Sequence, residues 1–127
     1  MVAAEIESSD EHFHRYKLLE YVVMPNHVHL LVYPQLDPTE SLHLLKGITA
    51  RYANRILART GWPFWQDETF DHWVRHVGQL AKIREYIASD PVRCGLAARA
   101  QDYPWSSAHK ALVRRQERLV QRRPDAE

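Results

Sequence analysis

The chain has a single cysteine, Cys94, which excludes an internal disulfide and fits a reducing compartment. No apolar run reaches the length a membrane-crossing helix needs, and the first residues carry no secretory signal pattern. The expectation is a cytoplasmic protein with no membrane partner. Repeats, low-complexity tracts and linker-like stretches are also missing. Residues 1–127 therefore read as a single domain, long enough to bury a real core. Excess charge is lacking too, the formal net value being +1.

What is present is more informative. A hydrophobic content of 45% with four Trp and six Tyr marks a globular chain. Of the 17 basic residues only Lys17, Lys46, Lys82 and Lys110 are lysines; the rest are arginines, whose planar fork suits phosphate better. Acidic residues crowd the start (Glu5, Glu7, Asp10, Glu11, Glu20), while basic ones dominate 46–59 and 110–123. This asymmetry favours a polyanionic partner; a merely solvated basic face is the common alternative.

The organising stretch is Tyr21-Val-Val-Met-Pro-Asn-His-Val-His-Leu-Leu-Val-Tyr33. Two apolar runs flank Pro25-Asn26, giving strand, tight turn, strand over 15–24 and 27–33. Strand side chains alternate, so His27 and His29 share a face, about 7 Å apart along the strand. Val28, Leu30 and Val32 are expected to point into the core. Two imidazoles on one rigid face form half of a divalent-metal site. Packed, hydrogen-bonded core histidines are the alternative, and each buried ring nitrogen would then need a partner. The stretch by itself leaves both readings open.

Residues 1–14 have few large apolar side chains and read as a short helix or frayed lead-in. Pro34 and Asp37-Pro38 end the second strand, and Thr39 or Glu40 can start a helix. From Ser41 to Thr60 the period is helical, with Leu45, Ile48, Tyr52 and Ile56 on one face. Arg51, Arg55 and Arg59 recur every fourth residue on a neighbouring face, where like charges repel unless an anion lies along them. Gly61-Trp62-Pro63 stops this helix. The aromatic-rich stretch 64–75 reads as extended, its aromatics being mostly core or, beside Arg75, platforms for unpaired bases. A second helix spans Gly78 to Ser89 and stops at Pro91, with Leu80, Ile83 and Ile87 as its buried stripe. Lys82, Tyr86 and Asp90 form the next stripe, so a phenol and a carboxylate share one helix face. Ser106 or Ser107 caps a last, basic helix from Ala108 to about Arg123, and 108–127 is a basic C-terminal helix and tail.

Met-Pro-Asn-His-Val-His-Leu-Leu-Val at 24–32, Tyr-Ile-x-x-Asp-Pro-Val-Arg-x-Gly-Leu at 86–96 and Tyr-Pro-Trp-Ser-Ser-Ala at 103–108 form an ordered set. Leu45-Lys46-Gly47 and Trp65-Gln66-Asp67-Glu68 with Phe70-Asp71 fit between them. Together, over roughly residues 15–109, they resemble the single-tyrosine HUH transposases, and most closely the REP-associated tyrosine transposases of bacteria. The resemblance implies an α+β fold, a ferredoxin-like (RRM-like) antiparallel sheet with helices on one face. It implies cutting and rejoining of single-stranded DNA next to hairpins. The family's His pair, here His27 and His29, binds Mg²⁺ or Mn²⁺ with a polar residue from the tyrosine helix, which is Asp90 here. The family usually has Asn or Gln there; a carboxylate suits such hard ions at least as well. The nucleophile matches Tyr86.

A phenol is a weak nucleophile at neutral pH unless its surroundings favour the phenolate. A divalent ion on the scissile phosphate would withdraw charge and hold it in line. The expected product is a 5′-phosphotyrosine link with a free 3′-hydroxyl. Lys46, Arg51, Arg55 and Arg59 would follow the DNA backbone, and Lys82 would favour the phenolate or meet a phosphate. The family usually has a strand and a helix ahead of the strand leading into the His pair, whereas only residues 1–20 precede the hairpin here. The expectation is a sheet without the family's first strand, whose open edge favours a homodimer. An altered helix start at His76-Val77-Gly78 is a further departure. The alternative function is a shortened, inactive relative that binds hairpin DNA without cutting. A weaker third reading is a phosphodiesterase that uses activated water.

Overall fold

The computed structural model describes residues 1–65, 74 and 76–122. In chain order these form α1 (Val2–Glu11), β1 (Tyr16–Val23), β2 (Val28–Pro34), α2 (Pro38–Ile56), α3 (Val77–Arg93), a 3-10 turn (Ala100–Asp102) and α4 (Ser107–Arg122). The class is α+β. Strands β1 and β2 pair as an antiparallel hairpin closed by a bond from the Met24 N–H to the His27 carbonyl at 2.8 Å. Two antiparallel strands with helices are consistent with a ferredoxin-like sheet short of a strand. The chain divides into two compact units, residues 1–19 with 32–80, and residues 20–31 with 81–127.

In the first unit the N-terminal residues are an anchored helix and not a frayed lead-in. Ile6 and Ser9 of α1 are fully buried. The Ile6 carbonyl accepts from the Tyr16 hydroxyl at 2.7 Å, and the Leu18 N–H donates to the Asp10 carboxylate at 3.0 Å. Part of the early acidity is thus structural.

Helix α2 begins ahead of Ser41, because Asp37 accepts from the Glu40 N–H at 3.0 Å and Pro38 pre-sets the first turn. Its buried residues are Ser41, Leu45, Thr49, Ala53 and Asn54. The expected apolar stripe is therefore rotated: Ile48 is half-buried, while Tyr52 and Ile56 are 51% and 73% exposed. Helix α1 packs against α2. Thr49 satisfies its buried hydroxyl by donating to the Leu45 carbonyl at 2.8 Å, and it accepts from the Trp65 indole at 2.9 Å. Helix α2 ends at Ile56, short of Thr60, and Ala58 turns the chain at φ 55°. The expected extended stretch from 64 to 75 lies mostly outside the described residues, which omit 66–73 and 75.

In the second unit Tyr21, Val22, Met24, Leu31, Ile87 and Tyr103 are buried. The core positions expected in β2 need correction: Val28, Leu30 and Val32 are half-buried, and Leu31 is the buried one. Both faces of the strand are partly covered, which blurs the simple alternation. Helix α3 runs on through Pro91 to Arg93 instead of stopping at Ser89. Proline removes the N–H that would bond back to Ile87, yet its ring is fully buried, and that burial offsets the loss. Bonds from the Cys94 N–H to Asp90 (3.0 Å) and from the Leu96 N–H to Pro91 (2.8 Å) complete the end, with Gly95 at φ 73° making the turn.

The segment before α4 runs beside β1. Ser106 bridges Val22, the Val23 N–H donates to the Trp105 carbonyl at 2.8 Å, and the Tyr103 hydroxyl donates to the Val23 carbonyl at 2.6 Å. Of the two candidate serines, Ser106 is the cap, accepting from the His109 N–H at 3.2 Å.

Tyr16 is 3% exposed, and burial above all, with Asp10 adding, pushes its phenol up to about 12 against the Ser9 hydrogen bond and Arg15. The unfolded chain releases this proton at lower pH than the folded one. The contribution of the neutral phenol is thus complete below about pH 10 and is lost as pH rises toward 12. Tyr16→Phe should lose about 1 kcal/mol at neutral pH with the bond to Ile6. Its stability should also fall less steeply than that of the parent chain above about pH 10, as read by urea unfolding across that range.

Candidate active site

His27 lies in the turn just before β2, and His29 lies within the strand. Leaving the strand does not separate them. Their Nε2 atoms converge on one oxygen of Asp90, Oδ2, at 2.9 Å from His27 and 3.1 Å from His29. The ring centroids are 4.8 Å apart, nearly perpendicular. Asp90 reaches this point from α3 and is 6% exposed. One ligand atom from each of the three residues lies within 4.8 Å of the others, the one such cluster among the described residues.

The hydrogen bonds define what the cluster presents. His27 Nδ1 sits 2.7 Å from the Asn26 side-chain oxygen, which orients the ring. His27 Nε2 in turn lies within hydrogen-bond distance of Asp90 Oδ2, at 2.9 Å. For His29, burial chiefly lowers the pKa, assisted by His27 and opposed by Asp90, which favours the neutral, ligand-ready imidazole. Burial raises the Asp90 carboxyl, but the His27 bond, with the charges of His29, His27 and Arg93, outweighs it and holds the group below its ordinary value. Two imidazole nitrogens and one carboxylate oxygen are a donor set that fits a divalent ion.

Tyr86, one helical turn before Asp90, is 55% exposed. Its ring lies edge-on to His29 with centroids 5.8 Å apart. Lys82, another turn back on α3, is exposed. The unit of residues 20–31 and 81–127 thus brings together His27, His29, Asp90 and Tyr86, with Lys82 further along the same helix. Lys46, Arg51, Arg55 and Arg59 belong to the other unit. Lys46 is half-buried on α2, Arg51 and Arg55 are exposed on it, and Arg59 lies beyond its end. The three-arginine helical stripe is therefore two residues long, because α2 stops before the third.

Arg93 belongs with the site and is not among the residues expected from the sequence. Its guanidinium carbon lies 4.0 Å from the Tyr86 ring centroid. Its Nη2 donates to the Tyr86 carbonyl at 2.8 Å and to Asp90 Oδ1 at 3.2 Å, and the guanidinium also bonds the Ser89 hydroxyl. The signal for it is its spacing, i+7 from Tyr86 and i+3 from Asp90, which ending the helix ahead of Pro91 hides. Asn26, which orients His27, is a second addition.

A hairpin thus brings two imidazoles to a helix-borne carboxylate, with an exposed tyrosine one turn away. The family model described as "Transposase IS200 like" matches residues 3–90, which include all four of these residues. The chain belongs to this family of DNA transposases, whose general activity is DNA cleavage by transesterification with a metal requirement. Neither the curated proteins nor the solved structures yield a match. Among the described residues no helix is long and apolar enough to cross a membrane.

Calorimetric titration with Mn²⁺ near neutral pH should show one site, abolished in the His27→Ala, His29→Ala double variant. Acid should weaken it, because protonated imidazole cannot ligate. The lowered pKa of His29 places its loss at a more acid pH than the 6.5 of an ordinary histidine. Binding that survives the double substitution would exclude the cluster as the site.

Proposed function

We propose that this transposase cuts and rejoins single-stranded, hairpin-bearing DNA in the cytoplasm through a 5′-phosphotyrosine on Tyr86, in the manner of the REP-associated type. The observation that carries the reading is the convergence of His27 and His29 on Asp90, with the half-exposed Tyr86 phenol one turn away on the same helix.

In this reading His27, His29 and Asp90 hold Mg²⁺ or Mn²⁺. When bound, the ion supplies positive charge to the non-bridging oxygens of the scissile phosphate. The Tyr86 oxygen attacks phosphorus, the bond to the 3′-oxygen breaks, and that oxygen leaves as a free 3′-hydroxyl after taking up a proton. One phosphodiester replaces another, so a 3′-hydroxyl can reverse the step without ATP. Arg93, lying over the Tyr86 ring, is a positioning residue. Lys82 adds positive potential one turn away, and Lys46, Arg51, Arg55 and Arg59 bind backbone phosphates.

Tyr86→Phe removes only a hydroxyl from an exposed ring, so fold and DNA affinity should stay within about twofold of the parent. With a hairpin-bearing single strand and Mn²⁺, the parent should yield a covalent adduct on a denaturing gel, and the variant should yield neither adduct nor cut. Cutting without an adduct would identify water as the nucleophile. A parent chain that binds hairpins and never cuts would make this a binding relative.

A homodimer is the second part of the reading. Leu119 and Val120 on α4 are 57% and 72% exposed, an apolar surface suited to a second copy. Light scattering should give twice the 14.9 kDa chain mass, and Leu119→Glu with Val120→Glu should halve it. A monomeric mass in the parent would remove the dimer.

A further inference from the structure

The unit of residues 1–19 and 32–80 holds a cavity of about 400 Å³ that the cleavage chemistry does not use. It is lined by Glu5 of α1, Phe13 from the turn after α1, and Ile48, Arg51, Tyr52 and Arg55 of α2. Its volume lies in the range of small-ligand sites, roughly 300–1,000 Å³. The composition is unusual for an empty surface hollow. Two aromatic rings stand open, Phe13 at 55% and Tyr52 at 51% exposure, and each already carries a guanidinium: Arg15 lies 4.4 Å from the Phe13 centroid and Arg55 5.8 Å from that of Tyr52. Among the described residues Glu5 forms no ion pair, although two arginines line the same cavity.

We propose that this cavity is a nucleobase pocket for single-stranded DNA, selective for an unpaired guanine. Flat aromatic faces accept any base by stacking, and stacking on such platforms is sequence-tolerant. Arg51 and Arg55, one turn apart on the exposed side of α2, meet the phosphates flanking that base. The carboxylate supplies selectivity. An ionised carboxylate only accepts hydrogen bonds, and guanine presents two adjacent donors, N1–H and N2–H, on its Watson–Crick edge. Thymine offers one donor flanked by two acceptors, which a carboxylate repels. Those donors are free only when the base is unpaired, so duplex DNA is excluded. An acidic peptide would satisfy the arginines but would meet Glu5 with like charge and leave both rings without a flat partner.

The pocket assumes the single-stranded DNA substrate proposed above, yet it is tested without cleavage. Fluorescence anisotropy in the Tyr86→Phe background compares a labelled oligothymidylate with the same strand carrying one central guanine. The expected result is at least about fivefold tighter binding of the guanine strand, the low end of what a good base contact discriminates. Glu5→Gln should erase that preference, with oligothymidylate bound at least as tightly as by the parent. Tyr52→Ala should weaken both strands about tenfold, and Tyr52→Phe should restore both, since stacking needs the ring and not the hydroxyl. Arg51→Gln with Arg55→Gln should weaken both strands and flatten the slope of log affinity against log salt. Guanosine monophosphate should compete only weakly if strand phosphates contribute, so a free nucleotide binding as tightly as the strand would overturn the DNA assignment. Equal affinity for both strands in the parent, a preference that survives Glu5→Gln, or tighter binding of an acidic peptide would each overturn the proposal. Thermal melts of the variants separate these outcomes from misfolding. Failure of the adduct assay leaves this result untouched, so the two readings fail separately.

Discussion

One carboxylate oxygen, Asp90 Oδ2, receives both imidazoles, and the arrangement of the site depends on that junction. Asp90 is fixed because α3 continues past it, with the buried ring of Pro91 next in the chain and the Cys94 N–H bonded to its carbonyl. The histidines are fixed because Met24 and His27 close the hairpin turn. Once helix and hairpin meet at this atom, Tyr86 has little freedom left. It sits four residues back on the same helix, so its phenol must emerge on the same face, beside His29.

The junction also governs charge. A carboxylate this far out of water requires counter-charges or hydrogen bonds on both oxygens. The imidazoles take one oxygen and Arg93 takes the other, and Arg93 then folds back over the Tyr86 ring and bonds the Tyr86 carbonyl. The same guanidinium that balances the carboxylate therefore positions the phenol. Asp90 and Tyr86 are coupled through one side chain as well as through the helix.

Much of this is legible in the sequence, for identifiable reasons. His-x-His beside a Pro-Asn turn can only present its rings together, and Tyr86 and Asp90 at i, i+4 can only share a helix face; neither inference needs the rest of the fold. The inferences that fail are those that depend on neighbours. Pro91 reads as a stop because an isolated helix loses a hydrogen bond there, and only burial of its ring against the rest of the unit offsets that loss. Stopping the helix at that point conceals Arg93. The inner stripe of α2 departs from expectation because apolar periodicity points to large side chains, whereas the buried positions include the small Ser41, Thr49 and Ala53. The N-terminal helix is hard to read because a single fully buried isoleucine, Ile6, and hydrogen bonds from Tyr16 and Leu18 hold it, and none of these raises its hydrophobicity.

The departure at position 90 and the presence of Arg93 explain each other. A neutral amide at 90 could ligate an ion through its oxygen but would leave the Arg93 guanidinium over Tyr86 without a counter-charge. With aspartate, the arginine is neutralised locally while its cationic face still covers the ring. The carboxylate also adds a full negative charge beside the two imidazoles, which strengthens attraction for a divalent cation. Substituting asparagine at 90 would remove that charge and weaken the hold on Arg93 in the same step. The carboxylate therefore ties the attraction for a cation to the posture of the Tyr86 ring.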